Sequence, residues 1–376
     1  MKSILFLSHT VNPFNERKLD SVFAEAKRRG WTVHSAEFGW TAWSIADIVA
    51  ALKPDGIIFE GGRLPGPVDV SPLQGLPVVF VDTDFPTPSG SVTIRSDAEA
   101  IADLAADELL ASEPAEAAFF SVTPSKTWSR LRCARFRERM REAKVHFRIL
   151  KRAGDVAQLK KNAAVFVAND MSAAVLLNGA GLLGIDCPGD FTLVSVDNET
   201  LFCENAKPKV TSVEQDPASA GAAAVKALDA LFRRRANIPA LILIPPRRIV
   251  RRASSFRPQG CRTIAQKVAA CIDVRAIEGI TVADIAKLLG CSRRTVETYF
   301  RAASGKSIGE AILDRRFAEV ERLVSNPHQQ IGAIADMCGW KSSTHLARSF
   351  RARYGMTMTA WRAAALDAAR ARGEAL

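Results

Sequence analysis

The sequence predicts two α/β lobes followed by an all-helical domain with two helix-turn-helix units. Three observations predict this. Short apolar runs alternate with amphipathic stretches over residues 1–250, and every periodic segment from Ile264 onward is helical. The charge divides the same way: residues 251–376 hold 21 Lys and Arg against 11 Asp and Glu, while residues 1–250 hold 30 against 29. Most of the net charge of +11 therefore sits with the helical part, as in a polyanion-binding module joined to a neutral one. At 376 residues the chain can form two or three domains with full cores.

The strand-like runs, in order, are 4–7, 32–35, 56–59, 78–81, 117–122, 165–168, 192–196 and 241–244. They read as continuous apolar runs, which implies parallel sheets covered on both faces. Amphipathic stretches at 16–29, 96–111, 129–143, 170–178 and 216–234 supply the covering helices. Asp216 caps the last of these, and Pro217 suits its first turn. The Pro/Ser/Gly-rich segment Phe85–Gly90 marks a passage between lobes, and crossovers are expected near 85–95, 210–215 and 236–241. Two such lobes leave a cleft suited to a small molecule. The expected domains are 1–252, a linker at 253–262, and 263–376.

In the helical part, Thr281 with Asp284 and Ser307 with Glu310 resemble capping boxes, and Ser325-Asn326-Pro327 ends a long helix. Two similar units lie in this region. Ala286 and Gly290 recur as Ala335 and Gly339, 49 residues on, and each Gly supplies the positive-φ turn before a basic helix. The units are expected over about 281–302 and 330–353. In the first, Val296 and Phe300 face the core and Arg293, Arg294, Glu297, Thr298 and Arg301 point outward. In the second, Leu346 and Phe350 are core, while Lys341, Ser342, Ser343, His345 and Arg348 point outward. Arg can bond bidentately to a guanine edge and Glu can accept from cytosine, so these are candidate readers of double-stranded operator DNA. The plainer reading, a solvated helix face, is weakened by the recurrence at a fixed offset.

The seven cysteines (Cys133, Cys187, Cys203, Cys261, Cys271, Cys291, Cys338) are scattered, with no Cys-x-x-Cys, and read as reduced packing residues of a cytoplasmic protein. The apolar run Ile4–Leu7 is too short for a signal peptide, and no run is long enough for a membrane span. No metal, cofactor or catalytic triad is expected. Gly179-Ala-Gly181-Leu-Leu-Gly184 fits G-x-G-x-x-G, but it follows the helical stretch 170–178 and is expected to end that helix rather than to bind a dinucleotide.

Polar residues gather at strand C-termini: Asn12, Phe14, Asn15 and Arg17 after the first run, then Asp82 and Asp84, Asn169-Asp170, and Asp197-Asn198. Carboxylates, amides and Arg suit sugar hydroxyls, and Phe14 or Trp128 suits the C–H face of the ring. Singly, each Asn or Asp reads equally well as a helix cap.

Residues 264–372 resemble the AraC/XylS family DNA-binding domain. Gly339-Trp340, Arg348, Phe350, Gly355, Thr357, Trp361 and Arg362 fit its closing signature, whereas Thr344, Leu346 and Met358 stand where Ser, Phe and Pro are usual. The resemblance implies two recognition helices in successive major grooves, about 34 Å apart. Residues 1–250 resemble the effector domain of the LacI/GalR family, which is similar to periplasmic sugar-binding proteins. The match lies in Val165-Phe-Val-Ala-Asn-Asp170, Pro188-x-Asp190-Phe-Thr-Leu-Val194, Asp197, Pro208-x-Val210-Thr211-Ser-Val213-x-Gln215, and Leu243 to Ser254. By this resemblance Arg132, Asn169, Asp197 and Gln215 are ligand residues, with Asp84 a further match from the first lobe. That family's N-terminal helix-turn-helix has no counterpart before the first strand here. Such a sensor joined to an AraC-type domain is the arrangement of the bacterial xylose-operon regulators, which Trp128, Arg132 and Pro245-Pro246 also resemble. The resemblance implies a homodimeric regulator, read as an activator, with a small sugar effector (a pentose such as xylose) and a contact with RNA polymerase. The alternative is an α/β sugar-active enzyme with a DNA-binding tail, which requires a catalytic pair that the sequence does not display.

Overall fold

The structure, a computed structural model, describes residues 1–9, 13–38, 43–62, 64, 68–235, 237–255, 263–325 and 329–371, without the side chains of 13–15 and 366–371. Up to residue 250 the elements are, in chain order, β1 (Ser3–Ser8), α1 (Pro13–Arg28), β2 (Thr32–Glu37), α2 (Ile45–Leu52), β3 (Gly56–Glu60), β4 (Val78–Val81), β5 (Val92–Ser96), α3 (Ala98–Leu110), β6 (Glu116–Phe120), α4 (Thr127–Glu142), β7 (Phe147–Leu150), β8 (Ala163–Val167), α5 (Asp170–Leu182), β9 (Phe191–Val196), α6 (Thr200–Asn205), β10 (Thr211–Glu214), α7 (Pro217–Phe232), β11 (Leu241–Ile244) and β12 (Arg248–Val250).

They form two six-stranded sheets, ordered β11-β5-β4-β3-β1-β2 and β12-β10-β9-β8-β6-β7. All pairings are parallel except β10 with β12. The continuous apolar runs are explained by burial on both faces. In β1, Ile4 and Phe6 join the core with Val225 and Leu228 of α7, while Leu5 and Leu7 join the opposite core with Ile45 of α2. In β8, Phe166 faces Phe136 of α4 and Val165 faces Leu176 of α5. Helices α1 and α7 approach so closely that a Cβ on Gly221 would lie 2.3 Å from the Lys18 carbonyl oxygen.

The lobe crossings differ from expectation. Val92–Ser96 is a strand of the first sheet, so the chain passes to the second lobe at residues 97–98 rather than within 85–95. It returns at Gln215–Pro217 and crosses again at residues 245–247, beyond the expected 236–241, because Leu241–Ile244 still belongs to the first sheet. Helix α5 runs through Gly179 and Gly181 to Leu182, so these glycines do not end it. Gly179 permits close packing on Ala153, and only Gly184, at φ 68°, lies in the left-handed region after the helix.

The segment expected as linker begins with ordered structure. Residues Ala253–Ser255 form a 3-10 turn with Ser254 and Ser255 buried, and the Ser254 hydroxyl donates to the Leu193 carbonyl at 2.7 Å. The rest of that segment, 256–262, lies outside the described residues.

The C-terminal helices are α8 (Ile264–Arg275), α9 (Val282–Leu288), α10 (Arg293–Ser304), α11 (Ile308–Val324), α12 (Ile334–Met337), α13 (Ser343–Tyr354) and α14 (Met358–Ala371). Both capping boxes form, at Thr281/Asp284 and Ser307/Glu310. Helix α11 spans two small cores, giving Ile308 and Ile312 to the first and Phe317, Val320 and Val324 to the second. Met358, where the family pattern has Pro, is buried in the second core, and Thr357 caps α14 by accepting from Ala360 N at 3.2 Å. Among the described residues no helix is long and apolar enough to cross a membrane. Burial pushes the Cys338 thiol up to about 12, so it is a packing group rather than a nucleophile.

Candidate functional site

A cavity of about 490 Å³ lies between the lobes. Of the seven residues expected to bind ligand, Asp84, Trp128, Arg132, Asn169, Asp197 and Gln215 line it together. The side chain of Phe14, and Asn12 and Asn15 with it, lies outside what is described.

The second lobe supplies most of these groups. Arg132, on α4, is 3% exposed. Its guanidinium lies 4.8 Å from the Trp128 ring centroid, and Nη1 donates to the Ala168 carbonyl at 2.5 Å. The Nε hydrogen has no partner among the described residues. Burial lowers the Arg132 pKa, while the carboxylates of Asp197, Asp82 and Asp170 pull the other way. Asp197, after β9, accepts from Gln215 Nε2 at 2.5 Å. Gln215 is 8% exposed and its Oε1 has no partner among the described residues. Asn169 does cap a helix, since its Oδ1 accepts from Ser172 N at 2.9 Å; its amide hydrogens are the donors left over. The same residue thus caps a helix and lines the cleft.

The first lobe adds residues that the sequence did not single out. Lys18, on α1, is 1% exposed and donates to Glu60 Oε1 at 2.9 Å and Asp82 Oδ2 at 2.6 Å. Burial alone would lower its pKa, but Asp82 and Glu60 outweigh burial and hold the ammonium above the ordinary lysine range. Arg95 completes this wall. A carboxylate closing the apolar run Gly56–Phe59 was the available clue to Glu60. Nothing local distinguishes Lys18 from an exposed helix lysine.

Asp84 bridges the lobes directly. It accepts from Thr127 N at 2.9 Å and pairs with Lys126 at 3.1 Å, and Lys126 also donates to the Leu64 carbonyl at 2.6 Å. Its oxygens are therefore engaged in holding one lobe against the other at the cleft mouth, where a free ligand contact was expected.

The helical domain presents two helices of the form expected. Gly290 (φ 61°) and Gly339 (φ 71°) make the turns. Val296 and Phe300 are buried in one unit and Leu346 and Phe350 in the other. Arg293, Arg294, Thr298, Arg301, Lys341, Ser343, His345 and Arg348 are exposed. The starts of the two helices are capped by Ser292 and Ser342. His345 is further oriented by an edge contact with Trp340, centroids 5.3 Å apart. Glu297 differs from expectation: it is half-buried and accepts from Ile308 N at 3.4 Å, because the start of α11 offers unsatisfied N–H groups beside it. Tyr299, on the same helix, is an exposed aromatic that the sequence reading passed over.

Comparison with known proteins adds family matches at both ends. Residues 106–255 match the model of the periplasmic binding protein-like domain, and residues 285–364 that of a helix-turn-helix domain. The xylose operon regulatory protein of Escherichia coli K12 is 25% identical over 205 residues, 54% of this chain and 52% of that protein. The chain thus spans about half the length of the curated relative in that match. The structure of a xylose-binding transcription activator, XylR, is similar over 96% of this chain and 98% of that one, with TM-score 0.61 and 21% identity. A lac repressor dimer bound to operator is similar over 68% of this chain and 82% of that one, with TM-score 0.55 and 16% identity. These structural likenesses establish a shared fold.

Proposed function

We propose that this chain, which joins a periplasmic-binding-protein-like domain to an AraC-type helix-turn-helix domain, is a sugar-responsive regulator of transcription. The observation that carries this reading is the cleft, where Arg132, Asn169, Asp197 and Gln215 converge with the Trp128 ring. Arg132 Nε and Gln215 Oε1, which have no partner among the described residues, lie with Asp197 and Asn169 beside an aromatic face, and together they match a polyol's hydroxyls and its C–H face. A pentose such as xylose is the favoured effector, in keeping with what the similar regulators are named for. Those relatives are regulators, and we read this chain as a regulator rather than an enzyme, acting in the cytoplasm as an activator that contacts RNA polymerase.

The two exposed basic helices α10 and α13 supply the reading of operator DNA. A homodimer would place two such pairs on one duplex. Exposed Met171, Val175 and Leu182 on α5, with Leu201 on α6, offer an apolar surface for the partner copy. Sugar closes the lobes, which shifts the population of dimers toward one spacing of the DNA-binding pairs.

Calorimetric titration with a panel of pentoses and hexoses tests the reading; a chain that takes up none of them is not a sugar sensor. For the DNA side, Arg294→Ala is expected to weaken binding to the selected operator by about 1–3 kcal/mol while leaving binding to unrelated duplexes unchanged. Equal loss on every sequence would make Arg294 a phosphate contact.

A further inference from the structure

The cleft loop and the exit to the DNA-binding domain meet at one buried arginine. Arg252 is 4% exposed, and each of its three guanidinium nitrogens donates a hydrogen bond. Nη2 donates to Asn198 Oδ1 at 2.9 Å, Nη1 to the Val210 carbonyl at 2.8 Å, and Nε to Glu204 Oε1 at 2.7 Å. Its own backbone N–H donates to Thr211 Oγ1 at 2.7 Å.

Each end of this bridge touches something that has to move. At one end, Asn198 follows the cleft residue Asp197. The two have φ of 53° and 109°, successive non-glycine residues in the left-handed region. Such a pair persists only where the surroundings hold it, and here Ser212 Oγ, which accepts from Asn198 N at 3.0 Å, and Arg252 do so. A guest pulling on the Asp197 carboxylate therefore acts on a loop under strain. At the other end, Glu204 also pairs with Lys209 at 3.4 Å. Both residues line a groove whose opposite wall is Arg275, Ile277 and Glu278 of the DNA-binding domain. The charge of Glu204 is felt at Arg322 and that of Arg252 at Glu319, both on α11.

We propose that Asn198 and Arg252 form the positioning link through which the Asp197 loop reports cleft occupancy to the DNA-binding domain. Asn198, one of the strand-end candidates of the sequence, is not among the residues that line the cleft. It sets where Arg252 holds Glu204, and hence the wall on which the reading domain rests. The inference rests on the sugar-sensor reading above and adds a route to it.

The test uses the full chain with xylose, arabinose and ribose as probes. Asn198→Gly removes the acceptor while suiting the positive φ, so the backbone is not strained further. Asn198→Asp keeps an acceptor in a residue that tolerates the same conformation. Sugar affinity is read by calorimetry, and the response of the DNA-binding domain by hydrogen exchange of α8 and α9 with and without sugar. The expected result is that Asn198→Gly binds sugar within about threefold of the parent, below the roughly 5–150-fold of a typical coupling effect, yet no longer changes exchange in α8 and α9. Asn198→Asp restores the change. If Asn198→Gly transmits the response as the parent does, the link is wrong. If it loses sugar binding itself, Asn198 is a ligand residue and the link is equally wrong. A parent chain that binds none of the three sugars while the fold is intact overturns the sensor reading, and the link with it.

Discussion

Arg132→Met is expected to abolish sugar binding while leaving thermal stability at or above that of the parent. The two effects separate because the arginine is costly in the empty chain. Its desolvation outweighs the pull of Asp197, Asp82 and Asp170, as its lowered pKa indicates. Methionine of similar length fills the space beside Trp128 without that cost, and the facing carboxylates keep their other partners, Asp197 with Gln215 and Asp82 with Lys18. The guest, however, loses charge-assisted hydrogen bonds worth about 1.5–3 kcal/mol each. Two of them correspond to a drop of at least about a hundredfold in affinity. Calorimetry with the parent's best sugar and a thermal melt decide the matter. Retained affinity would remove Arg132 from the site; a collapse in melting temperature would make it a structural residue instead.

The second large effect is expected at Gly339. Its φ of 71° is strained for any residue with a Cβ, at a cost of about 1–2 kcal/mol. Space forbids the substitution as well. A Cβ there would lie 2.7 Å from the Ile277 carbonyl oxygen and 2.9 Å from Gly279 N, both backbone atoms that no rotamer change can clear. Gly339 is thus the point where the second helix-turn-helix unit rests on residues 277–279, the turn that leads into the first. Gly339→Val is expected to cost about 2–5 kcal/mol in the DNA-binding domain and to abolish operator binding, with sugar affinity unchanged. Gly290 is the internal control: it has φ 61° but nothing within 4 Å of a built Cβ, so Gly290→Ala carries the backbone cost alone. Equal melting temperatures for the two variants would refute the docking role.

The layered sheets and the two helix-turn-helix units were legible because each rests on local periodicity. Val296 and Phe300 are four apart, and runs such as Ile4–Leu7 contain no polar interruption. The second-lobe site was legible for a related reason, since strand-end residues such as Asn169 and Asp197 fall where parallel sheets open. Short edge strands escaped notice. Phe147–Leu150 is half-exposed and carries Arg148, and Arg248–Val250 reads as a basic tail although it completes a sheet. The Lys18–Glu60–Asp82 group was hidden because its partners lie 42 and 64 residues away, and burial of a lysine leaves no trace in its neighbours. Asp84 and Glu297 carry structural bonds that the sequence did not show. A carboxylate beside a helix start is as readily taken by its free N–H groups as by a guest, and only coordinates choose between them.

Helix α7 covers one face of the first sheet with Ala220, Ala224, Val225 and Leu228, and β11 closes that sheet's edge beside β5. Both arrive more than a hundred residues after β5. On the ribosome, the first lobe therefore waits with Ile4, Phe6, Ile58, Val79 and Ile94 covered only in part, by Val22 and Ala26 of α1, until α7 and β11 have been synthesised. Neither lobe is a unit that a nascent chain can finish alone, and a stop anywhere before Ile244 leaves a sticky, half-clad sheet for chaperones and proteases to find.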